Sequence, residues 1–152
     1  MMHATLRTAA VAGLAFVAGI AFAHVPQSAR AAAAPLQPVV IDLAAITASD
    51  LPTPTPASPN LRSKLLAVAD GATAQVQLGT VAKHYHADAN EIQYVISGSG
   101  TEWLGDKQVA LRPGMLLIIP AGTPHAGTTD ANLKIYAIKT PPQAATDVHP
   151  VP

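Results

Sequence analysis

Three histidines and one glutamate occur in two short stretches of the sequence and offer ligands for a metal ion. The first stretch, residues 84–98, reads HYHADANEIQYVISG and contains His84, His86 and Glu91. The second, residues 114–125, reads GMLLIIPAGTPH and ends at His125. Three imidazoles and one carboxylate are a complete ligand set for a transition metal. The sequence therefore indicates metal binding.

The spacing of the first stretch predicts extended backbone. Side chains two residues apart share one face of a strand, whereas on a helix they point roughly 200° apart. His84 and His86 can therefore chelate one ion only if the chain there is extended. The β-branched and aromatic residues 91–96 predict a strand after a short turn at residues 87–90. Glu91 would then return to the face that the two histidines use.

The second stretch predicts a strand followed by a stiff turn. The apolar run Met115–Ile119 is short enough to be a buried strand. Two prolines and a glycine in residues 120–124 fix the backbone just before His125. A metal ligand must be held to a few tenths of an ångström, and a rigid turn favours this.

These two stretches resemble the paired motifs of the cupin superfamily. The first family motif corresponds to Gly79, His84, His86, Glu91 and Gly98, and the second to Gly114, Pro120, Gly122, His125 and Thr129. One residue fewer separates Gly79 from His84 than in the family pattern, and Thr129 replaces a closing asparagine. Neither departure is at a ligand. The resemblance implies an all-β fold, the cupin double-stranded β-helix or jelly-roll barrel, with a metal inside held by His84, His86, Glu91 and His125.

The ligand set leaves the identity of the metal open. Four ligands of an octahedral ion leave two positions for water, substrate or dioxygen. Imidazole and carboxylate suit Fe, Mn, Ni, Cu and Zn, so a divalent transition metal is the predicted cofactor. The chain has no cysteine, which excludes disulfides, a thiolate nucleophile and cysteine-based metal sites.

Length and charge narrow the class of protein. The chain of 152 residues has room for one domain of ordinary size. Its formal net charge is zero, so nothing electrostatic indicates a nucleic acid or an acidic lipid as partner. The predicted partner is a small-molecule substrate or ligand.

Residues 1–23 predict a secretory signal peptide. Arg7 supplies the positive charge, and the apolar run at residues 9–22 is shorter than a membrane span. Residues 21–23, AFA, form a small-x-small cleavage site, so we predict cleavage after Ala23. The cleaved protein is expected to be periplasmic or secreted and not attached to a membrane. An uncleaved anchor and a second cut within Ala31–Ala34 are the alternatives. An N-terminal His24 can bind copper, although a cleavage accident explains it more simply.

The rest of the chain divides into an extension, a barrel and a tail. Residues 24–59 are an Ala/Pro-rich extension with one short strand at Gln37–Leu43. Residues 60–140 predict a barrel of eight to ten short strands, with hairpin turns at Asp70-Gly71 and Gly105-Asp106. Residues 141–152 are a Pro-rich tail, and its His149 is expected to be exposed rather than a ligand.

Alternation along the strand that contains Glu91 predicts which face each of its other side chains occupies. Gln93 and Val95 should face inward with Glu91, and Gln93 is the predicted catalytic residue, able to hydrogen-bond an oxygen bound to the metal. Ile92, Tyr94 and Ile96 should face another sheet or a dimer partner, and the resemblance implies a homodimer. Further pocket candidates, for which surface or core is the default, are Glu102, Trp103 and Tyr136.

Two functions of different classes fit these features. The first is a metal-dependent enzyme of the dioxygenase, isomerase or lyase class, indicated by the two open coordination positions. The second is a non-catalytic metal- or ligand-binding protein of the periplasm, indicated by the short chain and the lack of an evident acid/base partner. We favour the enzyme, while a storage or stress scaffold is a weaker third interpretation.

Overall fold

The structure is a computed structural model that describes residues 35–69, 71–127 and 132–152. The predicted signal peptide, His24, Asp70 and Thr129 lie outside these ranges. Within the described ranges, no helix is long and apolar enough to cross a membrane.

The described chain forms ten strands and one short 3-10 helix at Ala48–Asp50. The strands are β1 (Leu61–Val68), β2 (Thr73–Gly79), β3 (His84–Tyr85), β4 (Asn90–Ser97), β5 (Gly100–Leu104), β6 (Lys107–Leu111), β7 (Leu116–Ile119), β8 (His125–Gly127), β9 (Lys134–Thr140) and β10 (His149–Pro150). They form two antiparallel five-stranded sheets, with the orders β1-β2-β9-β4-β7 and β10-β3-β8-β5-β6. The predicted all-β, two-sheet architecture is confirmed.

The predicted hairpins are present. β1 pairs with β2, and β5 pairs with β6, each in antiparallel register. Gly105 in the second turn has a φ of +61°, a conformation that glycine adopts without steric cost. The first hairpin places residues 61–68 in a strand, as predicted.

Alternating burial along β4 separates an inner from an outer face. Glu91, Gln93 and Val95 are buried, whereas Tyr94 is exposed, as the alternation predicted. The apolar core packs against the same inner face and consists of Val95, Leu111, Leu117, Ile119, Leu133, Ile135 and Ala137. Two polar side chains of the site region, those of Glu91 and Gln93, thus lie beside the apolar core.

Strand β7 differs from the prediction of a buried strand. Leu117 and Ile119 are buried, but Leu116 and Ile118 are 60% and 65% exposed. The reason is that β7 is the edge of its sheet, and no described segment covers its outer face. An unbroken apolar run therefore marks a strand here but does not mark burial on both faces.

The predicted strand at Gln37–Leu43 is wrong, because the structure has no strand there. Val40 is 99% exposed, and no strand of the described chain pairs with this segment. Pro38 lacks the N–H that a ladder would need. The extension is instead attached by the Lys134 ammonium, which donates to three backbone carbonyls at 2.7–3.1 Å, those of Leu43, Ala44 and Ile46.

Part of the Pro-rich tail belongs to the second sheet. β10 pairs with β3, and the His149 ring stacks on Tyr85 with 4.9 Å between centroids. The Asp147 carboxylate accepts backbone N–H groups from Ala87 at 2.6 Å and Ala89 at 3.1 Å. One buried carboxylate thus ties the tail to the turn that follows β3.

Two motif glycines are required by close backbone contacts. A Cβ on Gly79 would lie 2.1 Å from the Asn60 carbonyl oxygen, and a Cβ on Gly98 would lie 2.3 Å from that of Asn132. Both residues also have positive φ, of 113° and 84°. Other residues would be strained at these two positions, which bracket the His-x-His segment and β4.

Candidate metal centre

The four predicted ligands meet between the two sheets. His84 lies on β3, His86 directly follows it, His125 begins β8, and Glu91 reaches across from β4. Ring nitrogens of the three histidines lie within 4.8 Å of one another, and all three residues are buried. Glu91 Oε2 lies 3.2 Å from His86 Nε2 and 3.3 Å from His125 Nε2. The structure therefore brings together all four side chains.

Backbone contacts between the two sequence stretches fix this arrangement. The Gly122 N–H donates to the His86 carbonyl at 2.6 Å. The Ala121 N–H donates to Asn90 Oδ1 at 3.0 Å. The Pro-Gly turn before His125 is thus bonded to both ends of the loop that carries His86, so the two motifs form one rigid unit.

A backbone carbonyl orients each histidine ring. Nδ1 of His84 lies 2.8 Å from the Ala82 oxygen, and Nδ1 of His125 lies 2.9 Å from the Thr123 oxygen. His86 Nδ1 contacts the carbonyl of Asp147 in the tail. Because a carbonyl only accepts hydrogen bonds, Nδ1 carries the proton in all three rings. In the neutral form of each ring, Nε2 then has the lone pair and faces the cluster, which is the tautomer that binds metal.

The charges of these groups suit metal binding at neutral pH. Burial lowers the pKa of His84 to about 4, so its imidazole is neutral. Burial acts to raise the pKa of the Glu91 carboxyl, but the imidazoles of His125 and His86 and the Lys139 ammonium outweigh it and hold that pKa below its usual range. Burial lowers the pKa of the Lys139 amine, and the Glu91 carboxylate opposes that shift. Glu91 is therefore a carboxylate.

The donor set fits a cation. His86 Nε2 and His125 Nε2 lie 3.2 and 3.3 Å from Glu91 Oε2, so the three donor atoms converge where one cation could bind all of them. Two ligands about 2.1 Å from one metal, at right angles, lie about 3.0 Å apart, which matches this spacing. The Lys139 ammonium stands in for such a cation, with Nζ 3.2 Å from His86 Nε2 and 3.5 Å from Glu91 Oε2.

Gln93 contacts the cluster through Glu91. Its Nε2 donates to Glu91 Oε1 at 3.2 Å, and both side chains are buried. In this geometry Gln93 positions the carboxylate. The predicted contact between Gln93 and a substrate oxygen stays a prediction.

Glu102 is a site residue whose importance sequence reasoning missed. It is 1% exposed on β5, and its Oε1 has no hydrogen-bond partner in the described part of the chain. Burial, with a contribution from the Glu91 charge, raises the pKa of Glu102 to about 7, although His125 opposes the shift. Glu102 lies opposite Gly127 in the pairing of β5 with β8. That register is not visible in the sequence.

The other two pocket candidates lie away from the cluster. Tyr136 pairs with Tyr94 on the outer side of the first sheet. Trp103, half-buried on β5, has the Lys83 ammonium 5.1 Å from its ring centroid. Neither ring is part of the ligand cluster, in agreement with the default assignment to surface or core.

The cluster opens into a pocket of about 230 Å³. Its other polar wall residues are mainly uncharged and include Ser58, Ser63, Gln75, Gln77 and Gln143. A neighbouring cavity of about 350 Å³ shares His84 and Val148 with it and has Lys83 in its wall. Together they approach the size of known small-ligand sites, so a small molecule fits beside the histidines.

The fold and the four convergent ligands agree with the family resemblance. Residues 72–139 match the family model described as the cupin domain. The match supports a cupin-superfamily domain within residues 72–139.

Comparison with known proteins finds relatives of limited coverage. A curated relative is acireductone dioxygenase 1 from Coprinopsis cinerea, 41% identical over 66 residues, which are 38% of this chain and 35% of that protein. The chain thus spans about a third of that relative.

Solved structures share the fold. KdgF from Halomonas sp. is 21% identical, with a TM-score of 0.52 over 57% of this chain and 84% of its own. The polyketide cyclase RemF from Streptomyces resistomycificus is also 21% identical, with a TM-score of 0.55 over 70% and 83%.

Proposed function

We propose that the pocket is the active site of a metal-dependent enzyme that acts on a small organic molecule, in the dioxygenase, isomerase or lyase class. The observation that carries this proposal is the convergence of three Nε2 lone pairs and one carboxylate at the end of a ligand-sized pocket. His84, His86, His125 and Glu91 would hold the metal. When bound, it would polarise an oxygen of the substrate and, if redox-active, support oxygen chemistry.

The comparisons support small-molecule chemistry without choosing the reaction. One relative is named a dioxygenase, and a neighbour in fold is named a polyketide cyclase. Similar frames thus belong to proteins with different names and reactions. We therefore leave the reaction class open among the three proposed.

Glu102 supplies the acid/base group that the sequence did not reveal. With a pKa raised to about 7, its carboxyl can gain or release a proton at Oε1 near neutral pH. It shares the wall of a cavity of about 20 Å³, enough for about one water molecule, with Gln93. Gln93 also lines the larger pocket. This buried acid favours an enzyme over a non-catalytic binding protein.

Removing two ligands tests the proposed metal centre. We expect the double variant His84→Ala/His86→Ala to lose its metal, because an ion held by His125 and Glu91 alone lacks half of its protein ligands. The measurement is metal content by mass spectrometry after loading with Fe, Mn, Ni, Cu or Zn. The matched control is His149→Ala, since His149 lies outside the ligand cluster. Unchanged metal content in the double variant would refute the ligand assignment.

Turnover assays separate the two function classes. Oxygen uptake and product formation with enols, thiols and flavonoids should appear with one of the metals. Glu102→Gln should lower turnover while metal content is kept. Metal binding without turnover across all metals and substrates would instead support the non-catalytic binding protein.

We also propose that the protein is exported. Arg7, the apolar run at residues 9–22 and the AFA sequence at residues 21–23 support this. Mass spectrometry of the N-terminus in the native compartment tests it: a chain beginning at His24 is expected, and an intact Met1 would contradict cleavage.

A homodimer is a further part of the proposal. Tyr94, Leu116 and Ile118 are 44–65% exposed on the outer face of the first sheet, and adjacent exposed apolar residues of this kind often mark an interface. Light scattering should give the mass of two chains, whereas the mass of one chain at micromolar concentration would contradict the dimer.

A further inference from the structure

Lys139 lies inside the metal centre. It stands on β9 directly opposite Glu91 of β4, and it is 6% exposed. Its Nζ lies 3.2 Å from His86 Nε2 and 3.5 Å from Glu91 Oε2, and it also donates to Gln143 Oε1. A buried lysine needs acceptors, and this one takes them from the metal ligands.

A metal and the Lys139 ammonium compete for the same lone pair. His86 Nδ1 is bonded to the Asp147 carbonyl, so Nε2 has the ring's single lone pair. That lone pair can accept a hydrogen from Lys139 or bind a metal, but not both. A metal bound at His86 Nε2 would therefore displace the Lys139 contact, and it would share the charge of Glu91 that pairs with the ammonium.

The displaced ammonium would remain in the pocket, near the carboxylates of Glu91 and Asp147. Apart from Glu91, the polar groups that line this pocket with Lys139 are the histidines and uncharged side chains, among them Ser63, Gln75 and Gln143. If a metal shares the charge of Glu91, the ammonium becomes a binding point for an anion. The pocket then presents two positive groups, the metal and Lys139, to one small molecule.

We propose that Lys139 is the anion-binding residue of this pocket and recognises the carboxylate or enolate oxygen of the substrate next to the metal. This inference rests on the proposed function and deepens it, because it names the substrate class as a small organic anion. Lys139 bonds to the ligand cluster while no metal is bound and to the substrate once the metal has taken the Nε2 of His86.

Anion binding to metal-loaded protein tests the proposal, with Co(II) as the spectroscopic metal and oxalate as the probe anion. Lys139→Met and Lys139→Gln should weaken oxalate binding to the Co(II) protein by about tenfold or more, the usual effect of losing a charge-assisted hydrogen bond. The same variants should bind Co(II) more tightly than the wild type, because no ammonium competes. Oxalate is followed by the visible spectrum of Co(II), and Co(II) affinity by calorimetry.

The control is Lys134→Met. Lys134 is a buried lysine on the same strand, but its Nζ is bonded to the carbonyls of Leu43, Ala44 and Ile46 rather than to the cluster. It should leave both affinities unchanged, and thermal unfolding of every variant shows which ones are folded.

The outcomes separate the two proposals. If the wild type fails to bind any of the tested metals, the proposed function is overturned. If the metal binds but oxalate affinity is unchanged in both Lys139 variants, the role of Lys139 is overturned and the metal centre stands. An equal loss of oxalate binding in Lys134→Met would also overturn it.

Discussion

Glu91 and Glu102 are two buried glutamates with opposite electrostatic surroundings. They are 2% and 1% exposed, on β4 of the first sheet and β5 of the second. Burial acts to raise both pKa values. Around Glu91, the imidazoles and the Lys139 ammonium reverse the shift, whereas around Glu102 the shift persists and brings the pKa to about 7. Neighbours rather than burial therefore decide which carboxyl is charged.

This difference gives the two carboxyl groups separate tasks. A permanently ionised Glu91 can serve as a metal ligand, and a carboxyl that titrates near pH 7 can exchange a proton. Gln93 connects the two regions, because its Nε2 donates to Glu91 and it shares a small cavity with Glu102. Gln93 Oε1 and Glu102 Oε1 both lack a partner among the described residues.

Replacing Glu91 by Gln should have the largest effect, because it removes the charge and keeps the shape. Replacing a residue that hydrogen-bonds to a metal ligand typically lowers metal affinity 10–100-fold. Replacing a direct ligand should therefore lower it at least about 100-fold. Calorimetric titration with Zn(II) or Co(II) measures this loss. Glu102→Gln is the matched control and should keep its metal affinity within about threefold. Equal losses of metal affinity in Glu91→Gln and Glu102→Gln would show that the two carboxyl groups do not have separate tasks.

Glu102→Gln should instead change how the stability of the metal-free protein depends on pH. The folded-state pKa of Glu102, about 7, lies above its ordinary value of 4.5. Below pH 4.5 the carboxyl is protonated in the folded and the unfolded state, so it costs no stability. As pH rises through 7, the folded protein becomes less stable, because it has to ionise a buried group. The Gln side chain does not ionise, so the variant does not lose stability in this way. Relative to the wild type, the variant should gain about 1–3 kcal/mol more in free energy of unfolding at pH 8 than at pH 4.5.

Urea unfolding at the two pH values provides the measurement. Asp106→Asn, in the turn between β5 and β6, is the control for losing a surface carboxylate and should show no such pH dependence. A constant difference between Glu102→Gln and the wild type would mean that Glu102 ionises normally.

The sequence predicted the parts of the site that lie in local patterns. His-x-His spacing, the strand after it and the Pro-Gly turn before His125 are all readable within a few residues. The roles of Lys139, Asp147 and Glu102 were not readable, because each depends on contacts between distant parts of the chain. Lys139 lies opposite Glu91 only in the β4–β9 register, and Asp147 is 61 residues from the His86 ring that its carbonyl orients.

Composition misled the prediction in two places. The β-branched residues at Gln37–Leu43 suggested a strand, but strand formation needs a partner edge, and the structure offers none to this segment. The Pro-rich composition of the tail gave no sign of a packing contact, but the buried Asp147 carboxylate anchors it to the turn after β3. In both segments tertiary contacts outweigh local propensity.

Gln93→Leu should have the smallest effect, and it sharpens the comparison between the two glutamates. Leucine keeps the bulk of the side chain but cannot donate to Glu91 Oε1, a bond of 3.2 Å in the structure. Glu91 would then be less firmly oriented, and metal affinity should fall about tenfold, the lower end of the range for outer-shell partners. Gln75→Leu is the matched control, because Gln75 lines the same pocket and contacts Ser63 rather than Glu91. If both leucine variants bind metal as the wild type does, the metal affinity of Glu91 does not depend on Gln93, and the two glutamates are independent of each other.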